Sequence, residues 1–141
     1  ELLQMVDVIK PNAGEARTLT GVQVTGRASA REAGRRLLGR GAGAAAVTGG
    51  EEGTLLVWRE DECWLPRLPV ESIDATGAGD VFAAALGVML AEGRPLAEAA
   101  AFANAAAALA TTVIGAQESL PTREAVIALQ ERCGAGGARG G

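Results

Sequence analysis

Apolar positions along the chain switch between strand-like runs and helical spacing, and the switches set the order of elements. Residues 5 to 10, MVDVIK, suit a buried strand, after which the chain turns at Pro11 into a short helix, EARTLTG, stopped by Gly21. A second helix fits residues 28 to 39, with Leu37 and Leu38 on its inner face and Gly41 and Gly43 beyond its end. Three strands follow. AAAVT is small and apolar, TLLVW is β-branched and aromatic, and CWLPRL carries a proline that suits an edge strand better than a central one. Beyond ESIDATGAG the spacing becomes helical over 78 to 92, ending near Gly93, over 96 to 112 after Pro95, and over 122 to 132 after Pro121. The last eight residues, GAGGARGG (134 to 141), have nothing to bury and are expected to form a disordered tail. Strands alternating with helices, then a helical run, predict a layered α/β architecture with no internal repeat and no clear linker.

Composition narrows the function classes. The 141 residues are one domain's worth, and the opening at Glu1, inside a predicted strand, reads as a fragment or a processed piece. Net charge is -4, and Lys and Arg gather only in the helical AREAGRRLLGR, so a nucleic-acid partner is not expected. There is no histidine, and Cys63 and Cys133 stand far apart, which leaves a zinc site and a catalytic histidine unsupported and fits a reduced, cytoplasmic setting. The most membrane-like run, residues 97 to 116, contains Glu98 and Asn104 and is mostly alanine; it is expected to be a buried helix of a soluble protein, with no membrane partner.

The chemistry concentrates in DATGAGDVFAAAL, residues 74 to 86. Gly77 and Gly79 bare the backbone N–H groups at the start of a helix, where unpaired donors and the helix dipole make an anion site. Asp80 follows at once, and from the residues alone it either serves that site or merely balances the helix N-terminus. A dinucleotide fingerprint fits poorly, because Phe82 stands where its last glycine belongs and Glu98 falls in a helix. The Walker pattern G-x-x-x-x-G-K-[ST] is absent.

The same stretch closely resembles the second signature of the ribokinase-like (PfkB) carbohydrate kinases, D-T-x-G-A-G-D, with Ala75 in place of threonine. The resemblance implies that Asp80 is the base that takes a proton from a sugar hydroxyl, while the amides of Gly77, Ala78 and Gly79 hold the phosphoryl group in transfer. A carboxylate and an anion hole then serve different partners, with the hydroxyl between them.

Other segments match the family in consistent order from residue 5 to residue 132. KPNAGEARTLTG holds Asn12 and Glu15 at i, i+3, a spacing that favours a capping box; in the family an N-x-x-E motif organises the Mg2+ and phosphate surroundings, and one pair can do both. AVTGGEEGTLLVW reads as a plain hairpin, whereas the family's V-T-x-G-x-x-G, matched by Thr48, Gly50 and Gly53, lines the nucleotide site. Asn104 either bonds within the helical layer or, by the resemblance, lies near the adenine. The end of the 96 to 112 helix is either a solvated helix end or a cation site. Members activated by K+ use positions matching the Asp74 carboxylate, the carbonyls of Thr76, Ala110, Val113 and Gly115, and the Ser119 hydroxyl. GAQESLP resembles the ribokinase branch in particular.

Together these imply a partial Rossmann-like ribokinase fold, three-layered α/β/α, of which residues 1 to 133 form the C-terminal, ATP-binding half. The implied function is transfer of the ATP γ-phosphoryl group to a sugar, with ribose expected, by an intact cytoplasmic protein that uses ATP, Mg2+ and K+ and forms a homodimer. The alternative is a non-catalytic nucleotide-binding remnant or truncated gene product.

Overall fold

A computed structural model describes residues 8–49, 53–59, 61–74, 77–113 and 121–137, with the side chains of 134–137 excluded. The chain divides into two compact units, Glu1–Arg67 and Leu68–Gly141, although no linker signal separates them in the sequence.

The first unit is a four-stranded mixed sheet with two helices. Its strands are β1 (Val8–Ile9), β2 (Ala44–Thr48), β3 (Gly53–Trp58) and β4 (Asp61–Pro66), in that spatial order. β1 and β2 are parallel and joined through helices α1 (Ala13–Thr20) and α2 (Arg27–Gly39); β2, β3 and β4 run antiparallel. This is an α/β fold, and among the described residues the sheet is parallel at one pair, β1 with β2. α1 begins where Asn12 caps it and ends at Gly21, whose φ of 78° closes the helix in the left-handed region. Ala45 and Val47 of β2 with Leu55 and Val57 of β3 present one face, and Ala16, Ala30, Ala33 and Leu37 of the helices fill it. Gly34 sets the approach of α2 to the sheet, since a Cβ there would stand 2.6 Å from Val57 Cγ2. Along β4, Arg31 makes a bidentate pair with Glu62 at 2.7 and 2.6 Å, and Arg35 donates to the carbonyls of Arg59 and Asp61. An edge strand is thereby held from the side by a helix.

The second unit comprises α3 (Ala78–Ala91), α4 (Leu96–Ala110) and α5 (Arg123–Gly137), preceded by an irregular segment from Leu68. α4 packs against both other helices, and its small residues Ala99, Ala103 and Ala106 are buried almost completely, which lets neighbouring backbones come close. Phe82, Leu86 and Met89 of α3 and Val126 and Leu129 of α5 complete the core. Arg123 joins the three helices: it pairs with Glu92 at 3.2 and 2.6 Å just past α3 and lies 5.7 Å from the Phe102 ring centroid on α4.

Several boundaries differ from the sequence reading, those of β4, α4 and α5 among them. β4 occupies 61–66 rather than 63–68, because its span is set by pairing with β3 from Trp58↔Asp61 to Gly53↔Pro66. α4 stops at Ala110, where the hydroxyls of Thr111 and Thr112 bond the carbonyls of Ala108 and Leu109, each at 2.6 Å, and close the last turn early. α5 continues to Gly137, into the stretch expected to be a tail; residues 138–141 lie outside the described residues.

Candidate active site

The α3 N-terminus carries the glycine turn. Gly77 is its N-cap, with φ 82°, a conformation a residue with a side chain adopts only at a cost. The N-cap residue has no side chain to close this helix end, and the first-turn N–H groups of Ala78, Gly79 and Asp80 lack partners within the helix itself. A Cβ built on Gly79 meets nothing within 4 Å among the described residues, so there is room beside this position. Asp80 is exposed in the first turn, where Val81 donates the first helical bond, 3.0 Å to the Gly77 carbonyl. Donors and open space fit a phosphate group, and the carboxylate stands in the same turn.

Asp74 lies three residues before this turn and is tied to the far end of α4. The N–H groups of Ile73 and Asp74 both donate to the Thr111 carbonyl, at 2.7 and 2.9 Å. The structure thus brings the Asp74 backbone to the end of α4, next to Ala110 in sequence. Thr76, Gly115 and Ser119, the remaining expected ligands, lie outside the described residues. Asn104 is half-buried midway along α4.

In the first unit, Asn12 and Glu15 form a full capping box. The Glu15 N–H donates to Asn12 Oδ1 at 2.8 Å, and the Asn12 N–H donates to Glu15 Oε1 at 2.9 Å. The capping role is therefore present. Both residues also line an open cleft of about 650 Å3 with Lys10, Pro11 and Thr18. Burial pushes the Lys10 ammonium below its ordinary range, while the Glu15 carboxylate pulls it back up. Lys10 was not among the candidates; its place two residues ahead of the capping asparagine is the signal that could have found it. Among the described residues no three of His, Cys, Asp and Glu gather as a metal cluster. An Mg2+ near Glu15 would therefore take most of its ligands from water and phosphate, as that ion usually does.

Thr48 pairs with Thr54 across the β2–β3 hairpin, and Gly53 opens β3 one residue earlier. The hairpin closes with a 2.8 Å bond from the Gly49 N–H to the Gly53 carbonyl, while Gly50 lies outside the described residues. The hairpin reading of this stretch therefore holds.

Comparison with known proteins fits this arrangement. The profile of the pfkB family carbohydrate kinases matches residues 1–123. The ribokinase of Haemophilus influenzae is 36% identical over 131 residues, which is 93% of this chain and 43% of that protein. The structure of Arabidopsis thaliana ribokinase complexed with ribose and ATP has a TM-score of 0.82 at 34% identity, covering 91% of this chain and 42% of the other. That of Escherichia coli phosphofructokinase-2 in complex with potassium has a TM-score of 0.79 at 28% identity, covering 91% and 41%. The chain spans less than half the length of these relatives. By sequence over most of its length, and by fold, it belongs to the pfkB family of carbohydrate kinases.

Proposed function

We propose that this chain is the C-terminal, nucleotide-binding half of an ATP-dependent sugar kinase whose substrate is ribose. The observation that carries the reading is the α3 N-terminus, where a glycine in the left-handed region opens a helix end to solvent with Asp80 exposed in its first turn. The assignment to the C-terminal half rests on the order of the motifs, and that to ribose on similarity to ribokinases, one of which is known bound to ribose and ATP.

The reaction needs two opposite things of one turn. Charge spreads over the equatorial oxygens of the phosphoryl group in transfer, so fixed N–H donors stabilise it most at that moment. The amides of Gly77, Ala78 and Gly79 take this role. Asp80 accepts the proton of the sugar hydroxyl as its oxygen bonds to phosphorus, and the hydroxyl between them separates the carboxylate from the phosphate. ATP supplies the γ-phosphoryl group, the bond from phosphorus to the β–γ bridging oxygen breaking as ADP leaves, and a bound Mg2+ would supply positive charge to the phosphate oxygens. Asn12 and Glu15 organise the Mg2+ and phosphate surroundings, Thr48, Gly50 and Gly53 line the nucleotide site, and Asn104 lies near the adenine. Asp74 and the α4 end would hold a monovalent cation, whose charge would order the neighbouring turn; the potassium complex of phosphofructokinase-2 supports that choice. The protein works as a cytoplasmic homodimer.

The test is ADP release by the full-length protein with Mg2+-ATP over a panel of pentoses and hexoses. Ribose-dependent release is expected, and nucleotide binding with no sugar-dependent release would leave a binding remnant instead.

A further inference from the structure

Gly49 and Gly53, where the β2–β3 turn leaves and rejoins the sheet, both approach a residue that belongs to none of the motifs. Trp64 on β4 pairs with Leu55 of β3, so the two side chains share the helix-facing side of the sheet, where Trp64 packs, half-buried, against the core. The end of its ring reaches the turn. A Cβ built at Gly49 would stand 3.3 Å from Cη2 and 3.4 Å from Cζ3 of the indole, and 3.4 Å from the Gly26 carbonyl oxygen at the start of α2. One built at Gly53 would stand 2.9 Å from Cζ2 and collide with the Leu65 carbonyl oxygen. The φ of 152° at Gly53 makes a side chain there unfavourable in any case. Both stems of the turn therefore lie against one indole. The guanidinium of Arg27, in the first turn of α2, lies over that ring at 5.1 Å from its centroid. Further along the same helix, Arg31 and Arg35 hold β4 at Glu62.

We propose that Trp64 is a positioning residue for adenine nucleotide at this turn, an inference that rests on the nucleotide role assigned above to Thr48 and Gly53. Backbone that must meet a ligand closely binds it better when it is ordered beforehand, because less conformational freedom is lost on binding. The indole supplies that order. It is rigid, it is held by Arg27 and the core, and it interlocks with two positions that have no side chain to move aside. Its effect falls on ATP affinity and leaves the proton transfer at Asp80 untouched.

The experiment compares the full-length wild-type protein with Trp64→Phe and Trp64→Leu, measuring ATP affinity by calorimetry and steady-state kinetics in ATP and in sugar. Trp64→Leu keeps apolar contact with the core and withdraws the ring from the glycines. It is expected to weaken ATP about tenfold and raise the KM for ATP alike, with kcat and the sugar KM unchanged, the pattern of a lost uniform binding contribution. Trp64→Phe, which keeps a ring near the turn, should stay within about twofold of wild type. A lower melting temperature with unchanged ATP affinity in Trp64→Leu would reduce Trp64 to a core residue and overturn the inference. Equal weakening by Phe and Leu would overturn it too. Failure of the wild type itself to bind ATP would bring down the nucleotide reading, and this inference with it.

Discussion

Asn12 carries two roles that substitution can separate. Its side chain accepts from the Glu15 N–H at 2.8 Å, so Asn12→Ala should cost about 1 kcal/mol of stability, the usual value of an N-cap. Asn12→Asp keeps the cap, and its melting temperature should match wild type. If Asn12 also organises the Mg2+ and phosphate surroundings, the added charge should shift the Mg2+ concentration needed for half-maximal turnover. An Asn12→Asp enzyme with wild-type Mg2+ dependence would leave capping as the sole role. Such local features are the ones legible in sequence. The capping box follows from residues three apart, and the glycines at 77 and 79 announce a turn by themselves. The contact of Trp64 with Gly49 and Gly53 crosses from one strand to another, and nothing in the spacing of those residues reveals it.

Elements show the same division between local and non-local causes. β2 is legible to the residue at 44–48, because a small apolar run lies between glycine signals; β4 starts two residues ahead of its expected position, because only its pairing with β3 fixes where it starts. The hold of α2 on β4 gives a pH signature. Hydrogen bonding to Arg31 and the arginine charges keep the Glu62 carboxyl below its usual value of 4.5. A carboxyl depressed in the folded state contributes stability that is full above the unfolded pKa and is lost as pH falls through the folded one. Wild type should therefore melt higher than Glu62→Gln at pH 7, and the difference should shrink as the pH drops below about 4.5. A constant difference down to strong acid would assign the effect to packing. At the α4 end, Asp74 held to Thr111 predicts a cation response. Turnover at fixed Mg2+-ATP and ionic strength should be faster in K+ than in choline, mainly through kcat, because donors aimed at the phosphoryl group act in the transition state. Asp74→Ala should abolish the difference while leaving a basal rate. Equal wild-type rates in the two salts would make these oxygens an ordinary helix end.

At the scale of the whole molecule, the α/β class is legible from the alternation of elements, whereas the division at Arg67 and Leu68 is not, since Pro66 and Pro69 around it read equally well as the end of an edge strand. The chain spans 43% of the length of the Haemophilus influenzae ribokinase, so the 141 residues alone are expected to bind adenine nucleotide weakly and to show no sugar-dependent ADP release. Calorimetry and a coupled assay on these 141 residues check this, and sugar-dependent turnover by them would show that the additional length of the relatives is dispensable for the reaction. The central claim is narrower: the carboxylate of Asp80, exposed in the first turn of an open helix N-terminus, is the base of a phosphoryl transfer. The most direct measurement is kcat and ATP affinity of the full-length Asp80→Asn protein beside wild type. The account predicts a fall in kcat of roughly 10² to 10⁴, the range for losing a general base, with ATP affinity unchanged. Wild-type turnover by Asp80→Asn would contradict it.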